Sequence, residues 1–141
     1  MRQGRYRWGA LWAALLCLLL LGCGADGDFA GRHTVALVTK STDTEFWRSV
    51  FAGAEAAATE YNLQLTIAGP DTEEDYETQN QMVADAVAAG AEAIVFSAID
   101  YENNALAIDE AARAGVKIVS IDSGVDSDQV STYIGTDNYA A

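Results

Sequence analysis

The 141 residues are enough for one domain and not for two, since chains of about 100–200 residues bury a single hydrophobic core. Half of the residues are apolar and 21% are charged, a globular composition that excludes a disordered or fibrous chain. Eight basic residues against 21 acidic ones give a formal net charge of −13. Such a surface repels phosphate backbones, so nucleic acid is excluded as a partner.

The charge is unevenly spread. Arg2, Arg5 and Arg7 precede the first acid, Asp26, whereas from Cys23 onward five cations face 21 acids, a net of −16. Between the two regions Trp8 to Gly22 is a run of fifteen uncharged residues rich in Leu and Ala, short of the roughly 18 needed to span a bilayer. A cationic start, a short apolar core and small residues at its end make residues 1–22 a secretory signal, set aside from the fold. Its last residues, Leu20-Leu21-Gly22-Cys23, resemble the lipobox of bacterial lipoproteins. In that pattern cleavage precedes the cysteine, whose thiol and new amino group receive acyl chains, each buried CH₂ contributing about 0.8 kcal/mol to anchoring. The resemblance implies an extracytoplasmic protein, at the cell surface or in the periplasm, held to the membrane through Cys23. The alternative is an ordinary signal cut after Ala25. Because Cys17 lies inside the signal, neither cysteine is expected in a disulfide.

Residues 23–32 are small and polar, with Gly24, Gly27, Gly31, Asp26 and Asp28, and read as a flexible tether. The domain is expected over 33–141. Thr34 to Thr39 is a β-branched, nearly continuous apolar run, the pattern of a strand covered on both faces. A helix follows, with Trp47, Val50, Phe51, Ala54, Ala58 and Tyr61 at helical spacing and a capping box expected from Thr42 and Glu45. Leu63 to Ile67 is a second strand. After Gly69-Pro70, Asp71 with Glu74 is expected to cap a second helix whose stripe is Gln79, Met82, Val83, Ala86, Val87 and Gly90. Ala91 to Ala98 makes a third strand. Asp100 is expected to cap a helix through Ala105, Ile108, Ala111 and Ala112, ended by Gly115. Val116 to Ile121 is the fourth strand, Asp122 to Gln129 a polar loop and Val130 to Ile134 a fifth strand.

This order implies a doubly wound α/β layer with a parallel sheet between helices. Ligands of such sheets sit beyond the carboxyl ends of the strands, near the point where strand order reverses. The segments to inspect are therefore Lys40 to Asp43, Gly69 to Asp71, Ser97 to Asp100, Asp122 with Ser123, and Asp137 with Asn138, all polar.

Several chemistries lack their parts. Neither a dinucleotide nor a triphosphate glycine loop occurs, and the segment after the first strand carries two carboxylates that repel phosphate, which argues against a flavodoxin-like enzyme. The single histidine, His33, reads as an exposed bystander, and without a second histidine or a free cysteine no triad or zinc site is expected. Asp122, Asp126 and Asp128 around Gly124 do not follow the calcium-loop spacing, so a solvated loop is the reading there. No cofactor is implied.

The segments Ala36 to Trp47, Phe96-Ser97-Ala98-Ile99-Asp100, Val119 to Val125 and Tyr133 to Asn138 resemble, in order and spacing, the ribose- and galactose-type solute-binding proteins of ABC sugar importers. The resemblance implies a receptor that binds and does not catalyse. Its ligand is a sugar or related polyol held between two α/β lobes, and its further partners are permease subunits. By position it assigns ligand contacts to Phe46, Trp47 and Asp122, with Thr44, Ser97, Ser123 and Asp137 as further candidates. A rigid aromatic face against C–H patches and a carboxylate accepting from hydroxyls suit a sugar, charged hydrogen bonds adding roughly 1.5–3 kcal/mol each. Trp47 also fits the buried stripe of its helix, and Asp122 could equally cap its own loop. Ribose receptors carry an arginine where this chain has Ser123, which argues against ribose as the ligand. The resemblance covers only an amino-terminal lobe, the second being absent, and so implies a truncated form with weakened affinity. The rival within this fold is a sensory module that hands sugar occupancy to a regulatory partner.

Overall fold

The computed structural model describes residues 31–136. The expectations for residues 1–30, Cys23 among them, and for Asp137 lie outside the described residues.

Five strands and three helices alternate as expected. They are β1 Thr34–Val38, α1 Glu45–Glu60, β2 Gln64–Ala68, α2 Tyr76–Ala88, β3 Ala93–Phe96, α3 Ala105–Arg113, β4 Lys117–Ile121 and β5 Val130–Ile134. They form one sheet in the order β2-β1-β3-β4-β5, every neighbouring pair parallel. Strand order reverses between β1 and β3, which makes their carboxyl ends the switch point.

Each helix stops in the same way. Asn62, Gly90 and Gly115 take the left-handed conformation, with φ of 53°, 84° and 95°. The next N–H can then turn back to the last helical turn, from Leu63 to Ala58 O, from Ala91 to Ala86 O and from Val116 to Ala111 O. The starts depart from expectation. Thr44, not Thr42, caps α1, accepting from the Trp47 N–H at 3.3 Å. Asp75, not Asp71, caps α2, accepting from the Thr78 N–H at 2.9 Å. Asn104 stands at the N-cap of α3, while the Asp100 carboxylate closes the preceding turn by accepting from the N–H groups of Glu102 and Asn103. Several hydroxyl, amide and acidic residues precede each helix, and any of them is of a type that can cap its orphan N–H groups, so spacing left the choice open.

The two faces of the sheet are packed unequally. Ala36 and Val38 of β1, Ile94 and Phe96 of β3 and Ile118 of β4 share one face and are buried with Val83, Ile108 and Ala111 of α2 and α3. On the other face Leu37 is buried, but Val95, Val119 and Ile121 are only half-buried. There α1 packs on β2. Of its expected stripe only Trp47 is buried, Val50, Phe51, Ala54 and Ala58 being half-buried and Tyr61 exposed.

Candidate functional site

The carboxyl ends of β1 and β3 are joined by one amide. Gln79, on α2, is fully buried. Its Nε2 donates to Thr39 O and Ser97 O, both at 2.9 Å, and its Oε1 accepts from the Ile99 N–H at 3.1 Å. Every polar atom of that side chain is used inside the protein. The loop after β1 is also pressed against the end of β2. A Cβ on Gly69 would lie 2.9 Å from Thr39 Oγ1 and 3.1 Å from the carbonyl carbon of Ser41, so only glycine fits without a shift.

On that base stand the aromatic residues. Phe46 is 56% exposed, whereas Trp47 is 1% exposed. Their rings meet edge to face, 4.9 Å apart at 75°. The indole N–H of Trp47 donates to Glu73 Oε1 at 2.9 Å, and the same oxygen accepts from Ser41 Oγ at 3.3 Å. Trp47 is thus a buried support for Phe46, and Phe46 is the ring with a face left open. Thr44, exposed, spends an acceptor position on the α1 cap.

Asp122 follows β4 with a φ of 59°, a left-handed conformation that costs most side chains about 1 kcal/mol or more and that Asp tolerates better than most. Its N–H donates to Ile134 O at 3.0 Å, and its own carbonyl accepts from the Tyr133 hydroxyl at 2.8 Å, so the end of β5 fixes its backbone. The carboxylate Oδ2 collects three groups: the Lys40 ammonium at 3.0 Å, Ser97 Oγ at 3.2 Å and Ser123 Oγ at 3.3 Å. Oδ1 receives none of these. Partial burial by itself would raise the carboxyl pKa, but the hydrogen bond and charge of Lys40, with the two serine hydroxyls, outweigh it and hold Asp122 below the usual carboxylate range.

Phe46, Trp47, Val50, Ile121, Asp122, Ile134, Gly135 and Thr136 line one hollow of about 500 Å³. It is walled by aromatic and aliphatic side chains and carries a single carboxylate, a composition suited to a ligand with apolar faces and hydroxyl edges. Of the residues expected to touch ligand, Phe46 and Asp122 are open to it. Ser97 is fully buried, its hydroxyl committed to Asp122, so it supports the carboxylate from below and offers no surface to a ligand. Ser123 is half-buried and also bound to Asp122. The cation of this site comes from the loop after β1, through Lys40. A second hollow, of about 440 Å³, lies between α2 and α3 against Asn80, Val83, Val87 and Leu106, away from all the expected residues. His33, read as a bystander, is exposed but bonded through Nδ1 to Glu92 Oε2 at 2.7 Å, far from the site across the strands. Among the described residues no group of three or more His, Cys, Asp or Glu side chains could hold a metal ion.

From sequence, Lys40 was named only within a segment to inspect and Gln79 only within a helix stripe, neither as a site residue, and Glu73 was not named. Gln79 carried a signal, being the one amide in an otherwise apolar helix stripe, and Lys40 is the single Lys or Arg between residues 33 and 47. Glu73 carried none, since it is one acid among several in its loop.

Known proteins resemble this chain over most of its length. It is 26% identical to the ribose import binding protein of Haemophilus influenzae over 129 residues, 90% of this chain and 43% of that protein. It is 28% identical to the D-apiose import binding protein of Paraburkholderia graminis over 134 residues, 94% of this chain and 41% of that protein. Among solved structures, a carbohydrate transporter solute-binding protein from Agrobacterium radiobacter in complex with D-arabinose superposes with a TM-score of 0.75 and 32% identity, over 78% of this chain and 37% of that one. A sugar transporter from Clostridium phytofermentans gives a TM-score of 0.73 and 34% identity, over 76% of this chain and 40% of that one. The chain spans about two fifths of the length of the curated relatives it matches. Residues 35–141 match the periplasmic binding protein domain, and with one parallel five-stranded lobe of that architecture in place, the chain belongs to the periplasmic binding protein family.

Proposed function

We propose that this lobe supplies half of the binding site of an extracytoplasmic solute receptor that captures a sugar or related polyol for an ABC importer. The observation that carries the reading is the shared hollow in which Phe46 offers an open ring and Asp122 an acceptor oxygen not used by the protein. Relatives that are import proteins for ribose and D-apiose, and a solved neighbour in complex with D-arabinose, support the same ligand class. Phe46 stacks on the C–H face of the sugar while Asp122 accepts from a hydroxyl, with Trp47, Ser97 and Ser123 holding those two in place and Thr44 and Asp137 at the rim. In this reading the lobe binds and releases without chemistry. The acyl chains on Cys23 keep it at the outer side of the cytoplasmic membrane or at the cell surface, within reach of permease subunits.

The test is saturation-transfer NMR of the full chain in mild detergent with a panel of neutral pentoses and hexoses at millimolar concentration, alongside the Phe46→Ala and Asp122→Ala variants. Transfer to at least one sugar, lost in both variants, is the expected result. Absence of transfer to every sugar, or transfer that persists in both variants, overturns the site. Mass spectrometry of the membrane-extracted protein tests the anchor separately: acyl chains on a new amino-terminal Cys23 are expected, and an unmodified chain retaining residues 1–22 overturns it.

A further inference from the structure

A parallel sheet is ordinarily covered by helices on both faces. Here α2 and α3 cover one face, whereas on the other α1 packs on β2 at one edge and leaves β4 and β5, toward the opposite edge, without a helix. In that recess Val119 and Ile121 of β4 are half-buried, and their partners on β5, Thr132 and Ile134, are exposed, Ile134 by 61%. Neither strand carries a charge between Lys117, at the amino end of β4, and Asp122, just past its carboxyl end, although the chain holds 21 acids. The outward side of α1 has a matching character. Ser49, Ala52, Gly53 and Ala56 fall at helical spacing and are all small, uncharged and exposed. Within one copy nothing calls for a glycine there: a Cβ on Gly53 would meet nothing within 4 Å, and glycine is the poorest helix former after proline. Close approach of a second backbone gives it a use.

We infer that two copies of this chain pair, α1 of each seating in the recess over β4 and β5 of the other. A two-fold axis parallel to the strands exchanges the β2 edge of one copy with the β5 edge of its partner, so a single closed contact fills both recesses. Charge favours this arrangement at both ends. As the crossover between the parallel strands β1 and β2, α1 runs against the strand direction, so its carboxyl end reaches the amino edge of the partner's sheet. The last turn of α1 holds Glu60 and no basic residue, which leaves the negative end of the helix dipole unmatched. There it meets the partner's Lys117, which is exposed and has no ion pair among the described residues. At the opposite end the exposed Arg48, in the first turn of α1, meets the carboxyl edge at the partner's Asp122. Elsewhere two copies with a net charge of −13 each repel, and the uncharged recess is where they can approach. The recess shares Ile121 and Ile134 with the hollow, but this pairing does not depend on the sugar-binding reading.

Disulfide trapping tests this. Two differently tagged forms of the full chain, one Thr132→Cys and the other Ala52→Cys, are produced together and oxidised in intact membranes. A mixed disulfide-linked dimer is expected, and none when Ala84→Cys, exposed on α2 across the sheet, replaces Ala52→Cys. Gly53→Leu in both forms is expected to abolish the link by filling the gap, with a melting temperature unchanged or raised because leucine favours the helix, so that a lost link is not a lost fold. Lys117→Glu in the Thr132→Cys form is expected to lower the yield, and Glu60→Lys in the Ala52→Cys form to restore it. A link that forms equally well with Ala84→Cys, or that survives Gly53→Leu, overturns the seating of α1. A yield that charge reversal does not restore overturns the charge match and with it the two-fold arrangement. Thr132→Cys joined only to itself would mean sheet against sheet, and no link at all a recess open or filled by another occupant; either result overturns the pairing.

Discussion

The switch point between β1 and β3 and the far corner between β4 and β5 are made of similar polar side chains, yet they serve opposite ends. At the first, Gln79 is fully buried and each of its three hydrogen bonds ends on a backbone group. At the second, Asp122 is part-exposed, sits at a left-handed φ and leaves one carboxylate oxygen without a bond from Lys40 or either serine. Where a polar group is wholly satisfied from within, it is structure. Where its surroundings fix its position but not all its lone pairs, capacity remains for a ligand.

The comparison is most easily broken at the buried end. Gln79→Leu keeps the volume but strands the Ile99 N–H and two carbonyls, at about 1–3 kcal/mol for each group left unpaired. We expect a loss of roughly 3 kcal/mol or more, seen as a lower urea midpoint, and an unchanged midpoint would show that the amide does not hold the strand ends together. Gly69→Ala is expected to cost less, about 1–3 kcal/mol by overpacking against Thr39 and Ser41, measured in the same way.

Glu73→Ala removes the acceptor of the Trp47 indole N–H. Its expected cost is about 1 kcal/mol, accompanied by faster hydrogen exchange at that indole and weaker sugar stacking on Phe46. Exchange at the wild-type rate would show that packing by itself positions Trp47.

The smallest stability change belongs to the corner that keeps spare capacity. The Asp122 carboxyl is held below its unfolded value of about 3.9. Its ionised form therefore stabilises the fold above that pH, and the contribution disappears as pH falls through the lower, folded value. Asp122→Asn, which tolerates the left-handed conformation, is expected to be less stable than wild type at pH 7 by under about 1 kcal/mol for so exposed a pair. The difference should close below about pH 4. A gap that stays constant down to pH 3 would mean that ionisation of Asp122 contributes nothing to folding.

Much of this was legible in the chain itself. The strand at Val130–Ile134 fell at its expected bounds, and the other strands lay within two residues of theirs, because apolar β-branched runs report burial locally. Phe46 and Asp122 were named from family resemblance, Asp122 also from its position after a strand, and the fold brings the two to one hollow. The caps were misplaced since several acidic and hydroxyl residues cluster before each helix and any of them can reach an orphan N–H. Trp47 and Ser97 were named as ligand contacts from resemblance, and that their polar groups bond Glu73 and Asp122 was not legible, because residue type does not reveal which partner takes a side chain's bond.

From sequence alone come the α/β alternation, the charge contrast between the first 22 residues and the rest, and the segments that end at the carboxyl edge of the sheet, for these depend on patterns a few residues long. Only the folded chain decided that Lys40 and Asp122, 82 positions apart, form one ion pair, that Glu73 holds Trp47, and that the amide of Gln79 ties β1 to β3. Such pairings are set by strand order, which places β1 beside β3 and β3 beside β4, and no local pattern encodes which distant side chains that order brings within 3 Å of each other.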